Sequence, residues 1–250
     1  MKRKILLAGN WKMHKTNEEL AGFFTAFPAG SDQVEVLFGV PFTLLARARE
    51  LTAAGGIIIA AQNVHWEASG AFTGEVSVPM LKDIGIGAAI VGHSERRQYF
   101  GDTDETVAKR AAACLAGGIT PIVCIGETLA DREAGRTDKV LESQMQAVFA
   151  AIQDPGDMVI AYEPVWAIGT GLTATNEQAQ AAHRHVRGLF AGAYGEQAAG
   201  AVRILYGGSA KPGNIGGLLD QEDIDGGLVG GASLKAEDFG AMLKSAEGKA

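Results

Sequence analysis

The chain has 250 residues and a mass of 26.0 kDa, which one large α/β domain or two small domains can fill. Apolar residues make up 47% and charged residues 20%, so a core can form without metal or disulfide. Acidic residues outnumber basic ones 29 to 22, for a formal charge of -7, and no basic stripe is evident; both argue against a nucleic-acid binder.

Short apolar runs, often β-branched, alternate with segments of helical period. In chain order the pattern reads strand Lys4–Gly9, helix Asn17–Phe27, strand Val34–Val40, helix Leu44–Ala54, strand Ile57–Gln62 and a long connection Asn63–Val78. It continues with strand Ala88–Gly92, helix Thr103–Ala116, strand Thr120–Ile125, helix Lys139–Ala151, strand Met158–Tyr162 and helix Asn176–Ala193. Strand Val202–Tyr206, helix Gly213–Leu219, strand Gly227–Gly230 and helix Lys235–Ala246 complete it. Strands that are apolar throughout are covered on both faces. Strand and helix alternating eight times is the pattern of a closed parallel (β/α)8 barrel. The rival, an open doubly wound sheet, would carry G-x-G-x-x-G after its first strand, where this chain has Gly9-Asn10-Trp11-Lys12. No Pro/Ser-rich linker interrupts the pattern, so residues 1–250 read as a single domain.

The basic start Lys2-Arg3-Lys4 precedes an apolar run too short for a secretory leader. No run approaches the roughly 18 apolar residues of a membrane span. A cytoplasmic protein is the default expectation. Cys114 and Cys124 fit no metal spacing and read as buried thiols in a reducing compartment. The Asn63–Val78 connection carries Trp66 and Phe72 beside Thr73, Gly74 and Glu75, and a loop with that much apolar surface packs against something, a second subunit among the candidates.

In such a barrel, functional residues sit at the C-terminal ends of the strands. The first run ends at Asn10 with Lys12 beyond it, the fourth at His93 and the sixth at Glu163. The seventh ends at Gly207-Gly208-Ser209 and the eighth at Gly230-Gly231. Each has a plain structural reading: a surface lysine, a helix-start histidine, a strand-end carboxylate, tight turns. Together they put an amide, a cation, an imidazole, a carboxylate and two backbone nests on one rim. A carboxylate removes a proton beside a carbonyl, a neutral imidazole polarises that carbonyl, a lysine offsets enolate charge, and free N–H groups hold phosphate. Glu163 is followed at once by Pro164 and a small-residue loop bearing Trp166 and Ile168 and ending in Gly169-Thr170-Gly171, which reads as a lid beside a base. His14, His65, His93, His183 and His185 make no metal-ligand constellation, and nothing points to a redox cofactor or a covalent nucleophile.

The segments Gly9–Met13, Gly92–Arg97, Tyr162–Gly171, Tyr206–Ser209 and Val229–Ala232 closely resemble the triosephosphate isomerase family. Ala61–Val64, Gly70–Glu75 and Pro121–Glu127 extend the likeness over almost the whole chain. The resemblance implies a TIM barrel and the interconversion of dihydroxyacetone phosphate and glyceraldehyde 3-phosphate without cofactor or metal, a step of glycolysis and gluconeogenesis. It implies Glu163 as general base, His93 as neutral electrophile at a helix start, Lys12 offsetting negative charge, Asn10 holding substrate oxygens and Glu95 orienting Lys12. It assigns phosphate to the N–H groups of Gly169, Ser209, Gly230 and Gly231, and a closed-lid latch to Tyr206 with Ala174 and to Ser209 with Gly171. It also implies a cytoplasmic homodimer joined through Asn63–Val78, with contacts from Gln62 and Thr73. Leu172 stands where the family often has lysine, at the lid hinge. Asn176 replaces a frequent proline, where it is expected to cap the helix; Ala210 replaces a frequent valine. Two other readings share the glycine nests: a phosphate-binding barrel without catalysis, and a different sugar-phosphate enzyme on the same fold.

Overall fold

The structure, a computed structural model, describes residues 3–27, 30–169 and 172–250. Its strands are β1 Leu6–Asn10, β2 Glu35–Val40, β3 Ile57–Ala61, β4 Ala88–Val91, β5 Thr120–Ile125, β6 Val159–Tyr162, β7 Arg203–Tyr206 and β8 Gly226–Val229. All pairings are parallel, each strand joins its sequence neighbour, and β8 closes on β1 with Leu6 opposite Gly226. This is the eight-stranded barrel that the alternation of apolar runs implied.

Side chains alternate across a strand, so each strand feeds two cores. Leu6, Ala8, Leu37, Ala60, Ile90, Ile122, Ala161, Leu205 and Leu228, drawn from every strand, fill the lumen. Leu7, Val36, Phe38, Ile59, Val91, Val123, Ile160 and Ile204 point the other way, into the layer shared with the helices. Burial on both sides is why the strands read as unbroken apolar runs.

The long helices Asn17–Ala26, Asp104–Ala116, Thr137–Ala151, Asn176–Tyr194 and Ala236–Glu247 lie close to their expected ranges. The expected helix from Leu44 begins instead as a 3-10 turn, Phe42–Leu44, and continues as Leu45–Thr52. The helices Val78–Asp83, Leu129–Glu133 and Glu196–Ala201 have five or six residues, too few turns to display a period in sequence. One capping expectation is corrected. Asn176 is the first helical residue, and the cap is Thr175. The Thr175 hydroxyl accepts the Gln178 N–H at 3.2 Å while the Gln178 side chain accepts the Thr175 N–H at 3.0 Å. That reciprocal box satisfies two N–H groups that a lone asparagine cap could not.

The ends of β5 and β6 touch closely beside the rim. Gly126 follows β5, exchanging hydrogen bonds with the Gln144 amide at 2.8 and 3.2 Å. A methyl group on Gly126 would overlap the backbone carbonyl of Glu163. Gly126→Ala should therefore lower unfolding free energy by about 2–3 kcal/mol, measured by urea denaturation at fixed protein concentration. Unchanged stability would show that the two strand ends are not in this contact.

Candidate active site

Asn10 is the last residue of β1, Glu163 follows β6 directly, and His93 stands two residues past β4. Parallel closure brings these positions to one rim. Asn10, Lys12, His93, Glu163, Gly169, Ser209, Gly230 and Gly231 all line a single cavity of about 490 Å³. Gly171 lies outside the described residues.

His93 and Glu163 are both buried and meet each other, with Nε2 3.1 Å from Oε1. The other carboxylate oxygen accepts the Ser94 N–H at 2.8 Å. Ser94 opens the helix Ser94–Tyr99, and His93 is its N-cap. The His93 Nδ1 accepts the Glu95 N–H at 3.2 Å. A ring nitrogen that accepts a hydrogen bond carries no proton, so the imidazole is neutral and its proton is on Nε2, facing Glu163. Lys12 Nζ donates to Glu95 Oε1 at 2.5 Å, and Lys12 also lines the cavity. Asn10 Oδ1 accepts the Lys12 N–H at 3.0 Å, which ties amide and cation into one turn.

Several contributors carried no signal that was read in the sequence. Gln62 was expected at a subunit interface; within the chain its amide also donates to the carbonyls of Lys12 at 2.9 Å and Gly39 at 3.0 Å, contacts the sequence did not indicate. Asn214 holds the Ser209 turn, donating to the Ser209 carbonyl at 3.0 Å and accepting from the Lys211 N–H at 2.7 Å. Gly207 lies against Glu163, where a Cβ would sit 2.8 Å from the Glu163 Cγ. Cys124 faces the Glu163 carboxylate from the lumen. Burial, with the Glu163 charge next, holds its thiol well above the usual range. Burial alone pushes Cys114 up to about 12. Both thiols are in the neutral, unreactive form.

Beside the segment that follows Glu163, Glu127 is fully buried and accepts from the Tyr162 hydroxyl at 3.1 Å and the Trp166 indole N–H at 2.9 Å. The Val165 N–H bonds the Glu127 carbonyl at 3.1 Å. The Tyr206 hydroxyl is buried, and none of the described residues meets it at full hydrogen-bond geometry. Burial raises its pKa, while the approaching Ala174 N–H pulls the other way. Among the described residues there is no His/Cys/Asp/Glu group that could hold a metal ion, and no helix long and apolar enough to cross a membrane.

A family model for triosephosphate isomerase matches residues 5–246. The chain belongs to the triosephosphate isomerase family. The triosephosphate isomerase of Citrifermentans bemidjiense is 52% identical over 250 residues, covering 98% of this chain and 100% of that protein. That of Solibacter usitatus is 53% identical over 246 residues, covering 96% and 99%. That of Endomicrobium trichonymphae is 52% identical over 247 residues, covering 97% and 98%. Membership of the triosephosphate isomerase family therefore spans the whole barrel, strand ends included.

His183 underlies this site, its ring edge-on to Tyr162 at 5.5 Å and tilted beneath Tyr206 at 6.3 Å. Its Nδ1–H donates to the Ala179 carbonyl at 2.7 Å. Burial depresses its pKa to about 4, against 6.5 for a free histidine. The unfolded chain therefore takes up the proton first, and stability present above pH 6.5 drains away as pH falls toward 4. Wild type should lose about 2–3 kcal/mol more than His183→Leu between pH 7 and 4.5, read by urea unfolding. Equal losses would mean that this imidazole is not held neutral in the fold.

Proposed function

We propose that this chain interconverts dihydroxyacetone phosphate and glyceraldehyde 3-phosphate, acting as a cytoplasmic homodimer in glycolysis and gluconeogenesis, with residues 1–250 as one domain. The observation that carries the chemistry is the neutral His93 N–H meeting Glu163 across the cavity that Lys12 and the glycine nests also line. Without substrate, Glu163 is quieted by two donors, the Ser94 N–H and the His93 N–H. A substrate carbonyl would take the His93 donor for itself. Glu163 would then keep only the Ser94 N–H, and its other carboxylate oxygen would be left to face the substrate carbon.

Glu163 would remove a proton from the carbon next to the carbonyl. His93 Nε2–H and Lys12 would stabilise the enediolate oxygen, with Asn10 positioning it. His93 would move a proton between the two oxygens, and Glu163 would return its proton to the neighbouring carbon. Substrate and product are isomers, so the cycle balances with no oxidant, reductant or cofactor. The phosphate would rest on the N–H groups of Gly169, Ser209, Gly230 and Gly231. Closure of the lid would exclude water, which otherwise lets the enediolate expel phosphate. The Tyr206 hydroxyl with Ala174, and Ser209 with Gly171, are the latch we assign to that closed state.

The non-catalytic reading needs only the glycine nests and gives no reason for Glu163, His93 and Lys12 to share one cavity. A coupled assay of glyceraldehyde 3-phosphate on purified protein, without added metal or cofactor, tests the proposal. Wild type should turn over rapidly, and Glu163→Gln should lower kcat roughly 10²–10⁴-fold, the usual worth of a general base. A folded wild type without turnover would leave phosphate binding alone.

The dimer reading rests on exposed apolar side chains after four neighbouring strands: Met13 after β1, Phe42 after β2, Phe72 and Met80 after β3, Tyr99 and Phe100 after β4. Met13 is 94% exposed, an unusual state for a large apolar side chain beside a cavity. The connection bearing Phe72 is stiffened by a stack in which His65 lies 4.2 Å from Trp66 and 4.3 Å from Phe72. Deleting residues 68–72 should give a monomer of low activity in sedimentation and the same assay. A deleted form that still sediments as a dimer would count against this interface.

A further inference from the structure

Gly230 and Gly231 line the cavity, but a glycine pair has no side chain with which to fix its own peptide plane. Ser233, in the 3-10 turn Gly231–Leu234, fixes it. The Ser233 N–H and its hydroxyl both donate to the Gly230 carbonyl, at 2.8 and 2.7 Å. In a trans peptide the carbonyl and the following N–H point in opposite directions, and no described peptide bond is cis. With the Gly230 carbonyl drawn onto Ser233, the Gly231 N–H is turned away from Ser233, and Gly231 itself lines the cavity while Ser233 does not.

Ser233 is fully buried, and its own carbonyl accepts the Trp11 indole N–H at 3.0 Å. Trp11 is the residue between Asn10 and Lys12. It is buried against Phe23, Phe24 and Phe38, with the Lys15 ammonium 5.1 Å from its ring centre. Lys12 and Lys15 both adopt left-handed backbone, φ +51° and +77°, which non-glycine residues hold only where surrounding contacts impose it. The Lys12 side chain runs alongside Gly230, whose Cβ, if present, would lie 3.7 Å from the Lys12 Cε.

We propose that Trp11 and Ser233 are positioning residues for phosphate recognition: one hydrogen bond between them locks the lysine-bearing turn after β1 to the glycine nest after β8, so that the Lys12 ammonium and the Gly231 N–H converge on one anion. This rests on reading the nest as the phosphate site. It adds the reason why the nest has one orientation and why an indole, not merely an aromatic ring, precedes Lys12. Neither residue touches substrate, so both act on binding rather than on proton transfer.

The test uses Trp11→Phe, which keeps the ring packing but loses the N–H, and Ser233→Ala, which keeps the backbone donor but loses the hydroxyl. Inorganic phosphate is the probe, titrated calorimetrically, with kcat and KM from the coupled assay and melting temperature as the check on folding. Each variant should bind phosphate about three- to tenfold more weakly, with KM raised in proportion and kcat within about twofold of wild type. The two losses should not add in the double variant, because they break one chain of contacts. Wild-type affinity in both single variants, or a fall in kcat with KM unchanged, would overturn the inference. Wild type that does not bind phosphate would overturn the phosphate reading as well.

Discussion

Because all eight strands run the same way and β8 hydrogen-bonds back to β1, every strand delivers its last residue to the same rim. An open sheet would spread those residues along a line; closure gathers them around a point. The ladder persists one step beyond the strands at the decisive places. The Glu163 N–H bonds the Ile125 carbonyl and the Gly207 N–H bonds the Tyr162 carbonyl, both at 2.7 Å. Glu163 is thus fixed by backbone on both sides while its side chain enters the cavity. Small residues let the neighbouring chains approach it: Gly126 on one side and Gly207 on the other.

Two buried carboxylates stand on either side of this strand end, and their partners differ in kind. Burying a charge is costly unless donors replace the lost water. Glu127 receives its donors from Tyr162 and Trp166, with Arg132 within 3.4 Å, all parts of the protein that no substrate displaces. Burial, reinforced by the Glu127 charge, raises the Tyr162 hydroxyl pKa, so this donor keeps its proton. Glu163 receives one donor from backbone and one from His93, whose N–H is the group a substrate oxygen would claim. The same burial makes Glu127 an anchor, whereas Glu163 keeps one donor that the proposed substrate would displace.

The barrel was legible in the sequence because burial on two faces writes each strand as an apolar run, and parallel crossovers force helices between them. The rim was legible where function breaks that pattern: Asn10, His93, Glu163 and the glycines end apolar runs with residues the core would not choose. Gln62 was visible, but its bonds to the Lys12 and Gly39 carbonyls were not, since nothing in a sequence says which main-chain groups an amide at a strand end will meet. The backbone N–H of Ser94 on Glu163 left no mark, because a main-chain donor has no residue type. The capping of the helix after the lid was misplaced by one position, because Thr175 and Asn176 are both good caps and only the partner three residues on, Gln178, decides between them.

The segment that follows Glu163 is anchored at both of its described ends. At the start, Val165 bonds the Glu127 carbonyl and Trp166 its carboxylate. At the far end, the Thr175–Gln178 box fixes where the helix begins, while Leu172 lies 52% exposed. The Tyr206 hydroxyl is buried, with the Ala174 N–H approaching it. A buried hydroxyl left without full hydrogen bonding costs about 1–3 kcal/mol. The Ala174 N–H already approaches this hydroxyl, and a tighter contact between them would recover part of that cost. In the proposed reaction, that recovery is what would let the Tyr206–Ala174 pair act as a latch.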